Sequence, residues 1–262
     1  MQVKMPVLYI GHGSPTNAIK ENEFTKTWKR IAEKINTIKK PIAILCISAH
    51  WQTEGTAVTS SEKPKMIHDF YGFPKELYTI TYPAKGNTVL AKEIQKIITT
   101  TKVSLDTEWG IDHGTWSVLT HMYPNADIPV LQLSLDYELS SEKMLKIGKE
   151  LGVLRTKGIL IIGSGNLVHN LALFHPREKP FPWVIAFDTQ IKKELLKKNT
   201  KGVLDYSLLP EASLAHPTND HYLPLLYVVG ASQGEKPLFF NENIIFGSIS
   251  MTCVAYGLDK DL

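Results

Sequence analysis

Near its N-terminus the sequence reads Pro6-Val7-Leu8-Tyr9-Ile10-Gly11-His12-Gly13-Ser14-Pro15. The apolar run at the start of this stretch predicts a buried β-strand. The glycines allow a sharp turn or a close approach of the backbone to a ligand. A histidine between two glycines is an unusual choice for a core position. Because ligands bind outside the carboxyl ends of strands in open α/β sheets, we predict a polar site at this strand end.

The same pattern occurs twice more along the chain. The apolar run 42–47 is followed by Ser48-Ala49-His50-Trp51, and the run 159–162 is followed by Gly163-Ser164-Gly165-Asn166-Leu167-Val168-His169. Three predicted strands therefore each bring a histidine near their carboxyl end. We predict that His12, His50 and His169 belong to one site at one edge of a sheet.

Strands alternate with helices along the rest of the chain. Apolar residues at helical spacing predict helices over residues 21–39, 88–101, 141–151 and 184–198, and a helical turn over 117–122. Further strands are predicted over residues 56–60, 128–134, 239–240 and 244–255. This alternation predicts an α/β fold with a mainly parallel central sheet and helices on both faces. A length of 262 residues suits one large domain, and we expect a single domain spanning residues 1–262.

Composition limits the kind of protein and its partners. A hydrophobic content of 43% and a charged content of 21% are typical of a soluble globular chain. The net charge of +3 is too small to indicate a nucleic acid or a membrane surface as a partner. The sequence has no secretory signal pattern and no apolar segment of about 18 residues, so we expect a cytoplasmic protein. Cys46 and Cys253 lie in apolar runs, which favours buried free thiols over a disulfide.

Residues 61–87 form a long segment without a clear period that is rich in Pro, Gly and aromatic residues. A loop of this length is usually functional or disordered, and its aromatic content argues against disorder. We predict an ordered lid or pocket wall. The alternative is a surface excursion whose aromatic side chains only pack on the core.

The sequence contains nine histidines, whose contexts differ. We expect His68, His121 and His175 to be ordinary surface or core residues. The roles of the remaining three, which lie in polar turns, stay open on spacing alone: His113, His216 and His221. Imidazole is the commonest metal ligand in proteins, and several imidazoles from separate strand ends can bind Zn²⁺ or Fe²⁺.

The turn Gly163-Ser164-Gly165 also resembles the start of a dinucleotide-binding fingerprint. Val168 occupies the position of the third glycine, so this indication of NAD binding is weak. We interpret the turn as one that presents His169 to the site.

Five motifs in order resemble a known family. They are Gly11-His12-Gly13-Ser14-Pro15, Ser48-Ala49-His50-Trp51, Asp112-His113-Gly114, Gly163-Ser164-Gly165-Asn166-Leu167-Val168-His169-Asn170, and His216-Pro217-Thr218 with His221-Tyr222-Leu223-Pro224-Leu225. Together they are similar to those of the class III extradiol ring-cleaving dioxygenases, most of all the 4,5-DOPA extradiol dioxygenase branch. The resemblance extends from about Val7 to the C-terminus.

The resemblance implies one catalytic domain with a mononuclear, non-haem Fe²⁺ or Zn²⁺ at the edge of the sheet. It implies that His12 and His50 are metal ligands. His221 falls where related enzymes often carry a glutamate ligand, and His169 matches the acid/base histidine. His113 is expected to orient the substrate or the metal ligands. Three neutral imidazoles neutralise no charge of the metal, so such a site suits Zn²⁺ as well, and His169 would then be a fourth zinc ligand.

The implied reaction is the ring cleavage of a catechol such as DOPA by O₂, with His169 moving a proton. His216 is expected to share the orienting role of His113. Two alternatives remain open at this point. A zinc hydrolase would use the same ligands to activate water, and an interaction module of the same fold would bind no metal.

Overall fold

The computed structural model describes residues 3–176 and 179–259. Its strands are β1 (Val7–Gly11), β2 (Ala43–Thr53), β3 (Thr56–Thr59), β4 (Val103–Asp106), β5 (Val130–Asp136), β6 (Ile159–Gly165), β7 (Leu238–Phe240), β8 (Ile244–Ile245), β9 (Ile249–Ser250) and β10 (Cys253–Tyr256). Its α-helices are α1 (Glu23–Ile38), α2 (Thr88–Ile97), α3 (His113–Met122), α4 (Ser141–Leu151), α5 (Pro182–Leu196), α6 (Thr200–Leu204), α7 (Ala212–Ala215) and α8 (Pro224–Ala231). Short 3₁₀ segments lie at Pro15–Ile19, Lys75–Thr79, Gly152–Lys157, Leu171–Leu173 and Tyr206–Leu208.

Eight of these strands form one sheet in the order β4-β3-β5-β2-β6-β1-β10-β7. The four central strands, β5, β2, β6 and β1, are all parallel to one another. Antiparallel pairs occur toward the two sides, where β3 joins β5 and where β10 joins β1 and β7. Strands from both ends of the chain therefore share one sheet, and the predicted mainly parallel α/β fold is confirmed.

Both faces of the sheet are covered, because successive side chains of each strand point to opposite faces. Leu8 on β1 packs in a cluster that includes Trp28 of α1 and Trp116 of α3. Tyr9 lies in the other cluster, with apolar side chains of α2, α4, α5 and α8. Fully burying one large apolar side chain stabilises a fold by about 1.5–3 kcal/mol, so these two layers supply the main driving force for folding. The helices lie on both faces, as predicted.

The helix boundaries follow local signals in the sequence. Helix α1 begins after Asn22, whose side chain accepts from the amides of Phe24 and Thr25, and the Thr25 hydroxyl accepts in return from the Asn22 amide. This reciprocal cap satisfies amides that have no partner within the helix. Helix α4 has the predicted bounds, with Ser140 as its N-cap. Cys46 and Cys253 are free and buried, as predicted.

Several elements differ from the sequence prediction. The strand predicted over 244–255 is three separate short strands, β8, β9 and β10, and helices α6, α7 and α8 were not predicted. Strand β2 continues to Thr53, so His50 lies inside the strand, within the stretch between Ile47 and Gln52 where the register against β5 shifts. Helix α3 begins at His113, whereas a turn was expected there, because the Asp112 side chain accepts from the Thr115 amide and caps the helix. Strand β4 was not predicted. Its four residues include two with polar side chains, and it is an edge strand paired only through β3.

The order of the central strands positions the predicted site. Strand β6 lies between β1 and β2, and Ser164 is in register with Ile10 on one side and with Ser48 on the other. The carboxyl ends of these three strands therefore meet at one edge of the sheet. Within the described parts of the chain, none of the helices combines the length and the apolar character needed to cross a bilayer.

Candidate metal and catalytic centre

Five histidine rings lie together at this edge of the sheet. The ring centroids of His12 and His50 are 5.0 Å apart, and that of His221 lies 5.2 Å from His12 and 5.1 Å from His50. The His113 ring is 4.0 Å from the His50 ring. The His169 ring stacks on the His221 ring at 3.5 Å with an interplanar angle of 7°. The structure thus brings together every histidine to which the sequence analysis gave a ligand or acid/base role.

His12 and His50 present the same ring nitrogen to each other, because their Nε2 atoms are 3.1 Å apart. The Nδ1 of His12 lies 2.9 Å from the Ser164 hydroxyl, which donates its own hydrogen to the carbonyl of Gly114. Ser164 must therefore accept from Nδ1–H of His12. The lone pair of His12 is consequently on Nε2, the atom that faces His50.

The backbone before His12 makes the close packing that its glycines permit. A Cβ at Gly11 would lie 2.8 Å from the backbone of Met251. Gly13 has a φ of +64°, a conformation that residues with a side chain rarely adopt. The His12 amide donates to the carbonyl of Gly165, which ties the turn to β6.

One carboxylate contacts two of the rings. Asp69 places Oδ2 3.1 Å from Nδ1 of His50 and Oδ1 2.9 Å from Nδ1 of His113. Its Oδ1 also accepts from the backbone amide of His113. Asp69 lies in the long segment 61–87. The sequence analysis predicted this segment as a lid or pocket wall, but not as the source of a side chain that contacts the histidines.

His221 has a carboxylate of its own. Its Nδ1 contacts Oδ2 of Asp220, and its Nε2 is buried with no hydrogen-bond partner in the described parts of the chain. A buried unsatisfied polar atom costs about 1–3 kcal/mol, so this nitrogen suits a group that binds there. The backbone is fixed as well, because the His221 carbonyl accepts from the Tyr9 hydroxyl at 2.8 Å and from the Asn166 amide at 3.1 Å.

The site offers more imidazoles than a three-ligand metal centre needs. Ligand nitrogens of His12, His50 and His113 all lie within 4.8 Å of one another. The sequence analysis expected His221 as the third ligand and gave His113 an orienting role. His12 and His50 are common to both sets, and the donors are neutral nitrogens of the kind that Zn²⁺ and Fe²⁺ accept.

Burial keeps most of these imidazoles neutral. It lowers the pKa of His12 and of His221 well below the ordinary value, and the neighbouring imidazoles lower both further. Burial also lowers the pKa of His169 to about 4 and that of His113, which the nearby His50 lowers further. Neutral imidazole is the form that binds a metal or accepts a proton.

The pKa values of His50 and Asp69 both shift in the direction opposite to the effect of burial. Burial alone would lower the pKa of His50, but its contact with Asp69 and the charges of Asp112 and Asp220 outweigh burial and raise it. Burial alone would raise the pKa of Asp69, but His113 and His50 hold it well below its usual range. Asp69 is therefore an anion near neutral pH.

A second set of polar groups fixes the start of α3 behind the rings. Asp112 accepts from the Ser48 hydroxyl at 2.8 Å and from the Gln132 amide nitrogen at 2.7 Å. The sequence analysis gave no role in the site to these groups, or to Ser164, Asp69 and Asp220. One signal was present, because an aspartate adjoins a histidine in His68-Asp69, Asp112-His113 and Asp220-His221.

The long segment 61–87 is partly anchored and partly exposed. The carbonyl of Ile67 accepts from the Trp116 indole at 2.9 Å, and Met66 pairs with Ile111. The Phe70 ring lies 5.5 Å from the His113 ring, whereas Tyr71 is 92% exposed. Phe70 therefore borders the histidine cluster while the turn after it faces solvent.

His216 lies behind the cluster. Its Nε2 lies 2.9 Å from the Leu167 carbonyl, and its ring packs against the rings of Phe187 and Tyr222. Burial lowers its pKa to about 4.

His121, expected to be an ordinary residue, contacts the Asn17 carbonyl through Nε2 at 2.7 Å.

Comparisons with known proteins cover nearly the whole chain. The family described as the catalytic LigB subunit of aromatic ring-opening dioxygenase matches residues 5–257. The 4,5-DOPA dioxygenase extradiol of Escherichia coli (strain K12) is 42% identical over 97% of this chain and 95% of its own length. That of Beta vulgaris is 39% identical over 96% of this chain and 94% of its own length. The crystal structure of an uncharacterized protein from Escherichia coli K12 has a TM-score of 0.83 at 38% identity, covering 97% of this chain and 100% of that one.

These matches decide between the alternatives that the sequence left open. A ring-opening dioxygenase takes a small aromatic substrate and O₂, which a hydrolase or a pure interaction module does not. The histidine cluster supplies donors for the metal that the family implies. The chain therefore belongs to the family of catalytic LigB subunits of aromatic ring-opening dioxygenases and is an extradiol dioxygenase.

Proposed function

We propose that this chain, as one catalytic domain over residues 1–262, opens the ring of a catechol, with DOPA as the first candidate. The printed names of the relatives from Escherichia coli and Beta vulgaris support DOPA as the substrate. We further propose that Fe²⁺ is the active metal and that His12, His50 and His221 bind it. The buried free thiols support a cytoplasmic location.

One observation carries the ligand assignment. Each of these three rings has its Nδ1 against an oxygen of the protein, from Ser164 for His12, Asp69 for His50 and Asp220 for His221. Ligating histidines usually hold their second ring nitrogen in this way, which fixes the tautomer and the orientation of the ring. Each ring therefore keeps the lone pair of its Nε2 for a ligand.

The choice of His221 over His113 as the third ligand rests on their partners. His221 has a separate carboxylate, and its buried Nε2 lacks a hydrogen-bond partner among the residues that the structure describes. His113 shares the carboxylate of Asp69 with His50, and its ring meets Phe70 edge to face. We therefore assign His113 to the side of the site where the aromatic substrate lies, as a residue that contacts a substrate oxygen.

His169 is the proposed acid/base residue. Its backbone is held by the hydrogen bond that its amide donates to the Ala215 carbonyl and by the pairing with Ile249. Its ring stacks on that of His221. Because burial lowers its pKa to about 4, it is neutral at pH 7 and can accept a proton from a catechol hydroxyl. It returns that proton later in the reaction.

A metal held by these imidazoles would supply what the side chains cannot, Lewis-acid activation of the catechol and, for iron, the redox chemistry that O₂ requires. The same imidazoles fit Zn²⁺, for which His169 is the proposed fourth ligand. Zinc has no redox chemistry, so the zinc form is expected to be inactive in ring cleavage. Phe70 and the rest of the segment 61–87 are proposed to cover the aromatic ring of the substrate.

A reconstitution experiment tests this function. Metal-free protein is loaded anaerobically with Fe²⁺ or with Zn²⁺, and O₂ uptake is followed with DOPA and with 4-methylcatechol, which lacks the amino-acid side chain. We expect O₂ uptake only with iron and a higher kcat/KM for DOPA. Equal activity of the zinc form would contradict the redox role of the metal, and a higher kcat/KM for 4-methylcatechol would contradict DOPA as the substrate.

A further inference from the structure

Asp69 contacts two rings of the centre, and the ligand assignment uses only its contact with His50. One of its oxygens lies 3.1 Å from Nδ1 of His50, and the other lies 2.9 Å from Nδ1 of His113. The centroids of these two rings are 4.0 Å apart, so one carboxylate spans the closest unstacked pair among the five rings of the cluster. Its side chain is 17% exposed.

Asp69 does not lie on a strand of the sheet or on a helix that carries a histidine of the cluster. His50 is on β2 and His113 begins α3, whereas Asp69 lies in the segment 61–87. The amide of Ile67 donates to the Ile111 carbonyl at 2.8 Å, which fixes the segment two residues before Asp69. Backbone pairing therefore holds the segment in place beside the two rings.

A role limited to capping α3 does not explain this arrangement. Asp69 accepts from the His113 amide, but the N-cap of α3 is Asp112, whose side chain accepts from the Thr115 amide. The second oxygen of Asp69 points to His50, which belongs to a different element. Capping requires neither that oxygen nor that contact.

We propose that Asp69 is a positioning residue, which holds His50 and His113 in the Nδ1–H tautomer and fixes the angle between their rings. An anion within 3.1 Å of both Nδ1 atoms favours hydrogen on each of them and so leaves both lone pairs on Nε2, which sets one ring for the metal and the other for the substrate. The inference rests on the proposed function, because it takes His50 as a metal ligand. It assigns to the segment 61–87 a role in forming the centre as well as in covering it.

The test is metal affinity in variants of Asp69, measured by competition of Zn²⁺ with a chromophoric chelator. Asp69→Asn keeps the size of the side chain but offers only one acceptor oxygen, so we expect the affinity for Zn²⁺ to fall about 10–100-fold. Asp69→Glu restores the charge and should recover part of that loss. Asp127→Asn is the matched control, since it makes the same change at an exposed aspartate outside the segment 61–87 and should leave the affinity for Zn²⁺ unchanged.

A second measurement uses the metal-free protein, so it does not depend on activity. In ¹⁵N spectra of wild-type protein with labelled histidine, His50 and His113 should both carry hydrogen on Nδ1, and Asp69→Asn should change the tautomer of at least one. Hydrogen on Nε2 and none on Nδ1 of either ring in the wild type would overturn the proposal, even if the variants do not fold. A Zn²⁺ affinity of Asp69→Asn within twofold of wild type would also overturn it. Failure of the wild type itself to bind Zn²⁺ would instead count against the proposed function.

Discussion

Gly165 is the position at which a single methyl group should disturb the centre most. It ends β6, and a Cβ built there would lie 2.1 Å from the carbonyl oxygen of His221, where ordinary contact begins at 3.4 Å. The neighbouring backbone would have to move by about 1.3 Å to relieve the overlap. Because the same carbonyl is held by Tyr9 and Asn166, that movement should be passed to His221.

The expected cost of Gly165→Ala has two parts. Overpacking of this kind lowers the free energy of unfolding by about 1–3 kcal/mol. A misplacement of about 1 Å in a reacting centre costs on the order of 100-fold in rate. We therefore expect kcat/KM for O₂ uptake of the iron form to fall about 100-fold, with weaker binding of Zn²⁺ to the metal-free protein.

Gly148→Ala provides the matched control. Its Cβ would lie 2.2 Å from the carbonyl oxygen of Tyr227, so the overlap is almost the same, but it falls at the contact between α4 and α8. Urea unfolding should show a similar loss of stability in both variants, whereas only Gly165→Ala should lose activity beyond its loss of folded protein. If the two variants lost activity equally, or if Gly165→Ala kept kcat/KM within threefold of wild type, the assignment of His221 to the centre would be refuted.

Four further outcomes are expected. Replacing His12 or His50 by alanine should abolish stoichiometric metal binding, since loss of a ligand costs more than the 10–100-fold typical of its supporting contacts; metal analysis after gel filtration checks this, and a full complement of metal would count against either ligand. His169→Gln should retain iron and catechol binding while ring cleavage falls about 10²–10⁴-fold; loss of iron together with activity would show that His169 is mainly a ligand. Shortening the exposed turn at residues 71–79 should raise KM for catechols, and an unchanged KM would remove the covering role of this segment. The free energy of unfolding of the metal-free protein should decrease as the pH falls from 6.5 toward 4, because the unfolded chain then binds protons that buried His216, with its pKa near 4, does not. His216 should contribute up to about 3 kcal/mol to this decrease, so His216→Gln should show a smaller difference in the free energy of unfolding by urea between pH 7 and pH 5. A wild-type stability that did not fall would contradict the assigned burial of His216.

The fold was accessible from the sequence because each central strand carries a strong local signal. The apolar runs before His12, His50 and His169 are long enough to identify as strands, and alternation with helices indicates parallel pairing. Because parallel strands have their carboxyl ends at the same edge of a sheet, the meeting of the three strand ends then follows. The short edge strand β4 gave no comparable signal, because few of its side chains are buried and its partner strand β3 is far away in the sequence.

The supporting contacts of the site were not accessible in the same way. Ser164 and His12 are 152 positions apart in sequence, and only the register between β6 and β1 brings them together. Asp69 lies in a segment without a period, so nothing local fixes which way its side chain points. The number of histidines at the strand ends indicated a centre, but the choice between His113 and His221 depends on these partners.

The most direct test of the account is the position of the metal itself. A crystal soaked with Fe²⁺ under anaerobic conditions, measured at the iron absorption edge, should show one anomalous peak bonded to Nε2 of His12, His50 and His221, at roughly the 2.0–2.2 Å typical of metal–imidazole bonds. A peak bonded to His113 in place of His221, or bonded through Nδ1 atoms, would contradict the assignment of the centre.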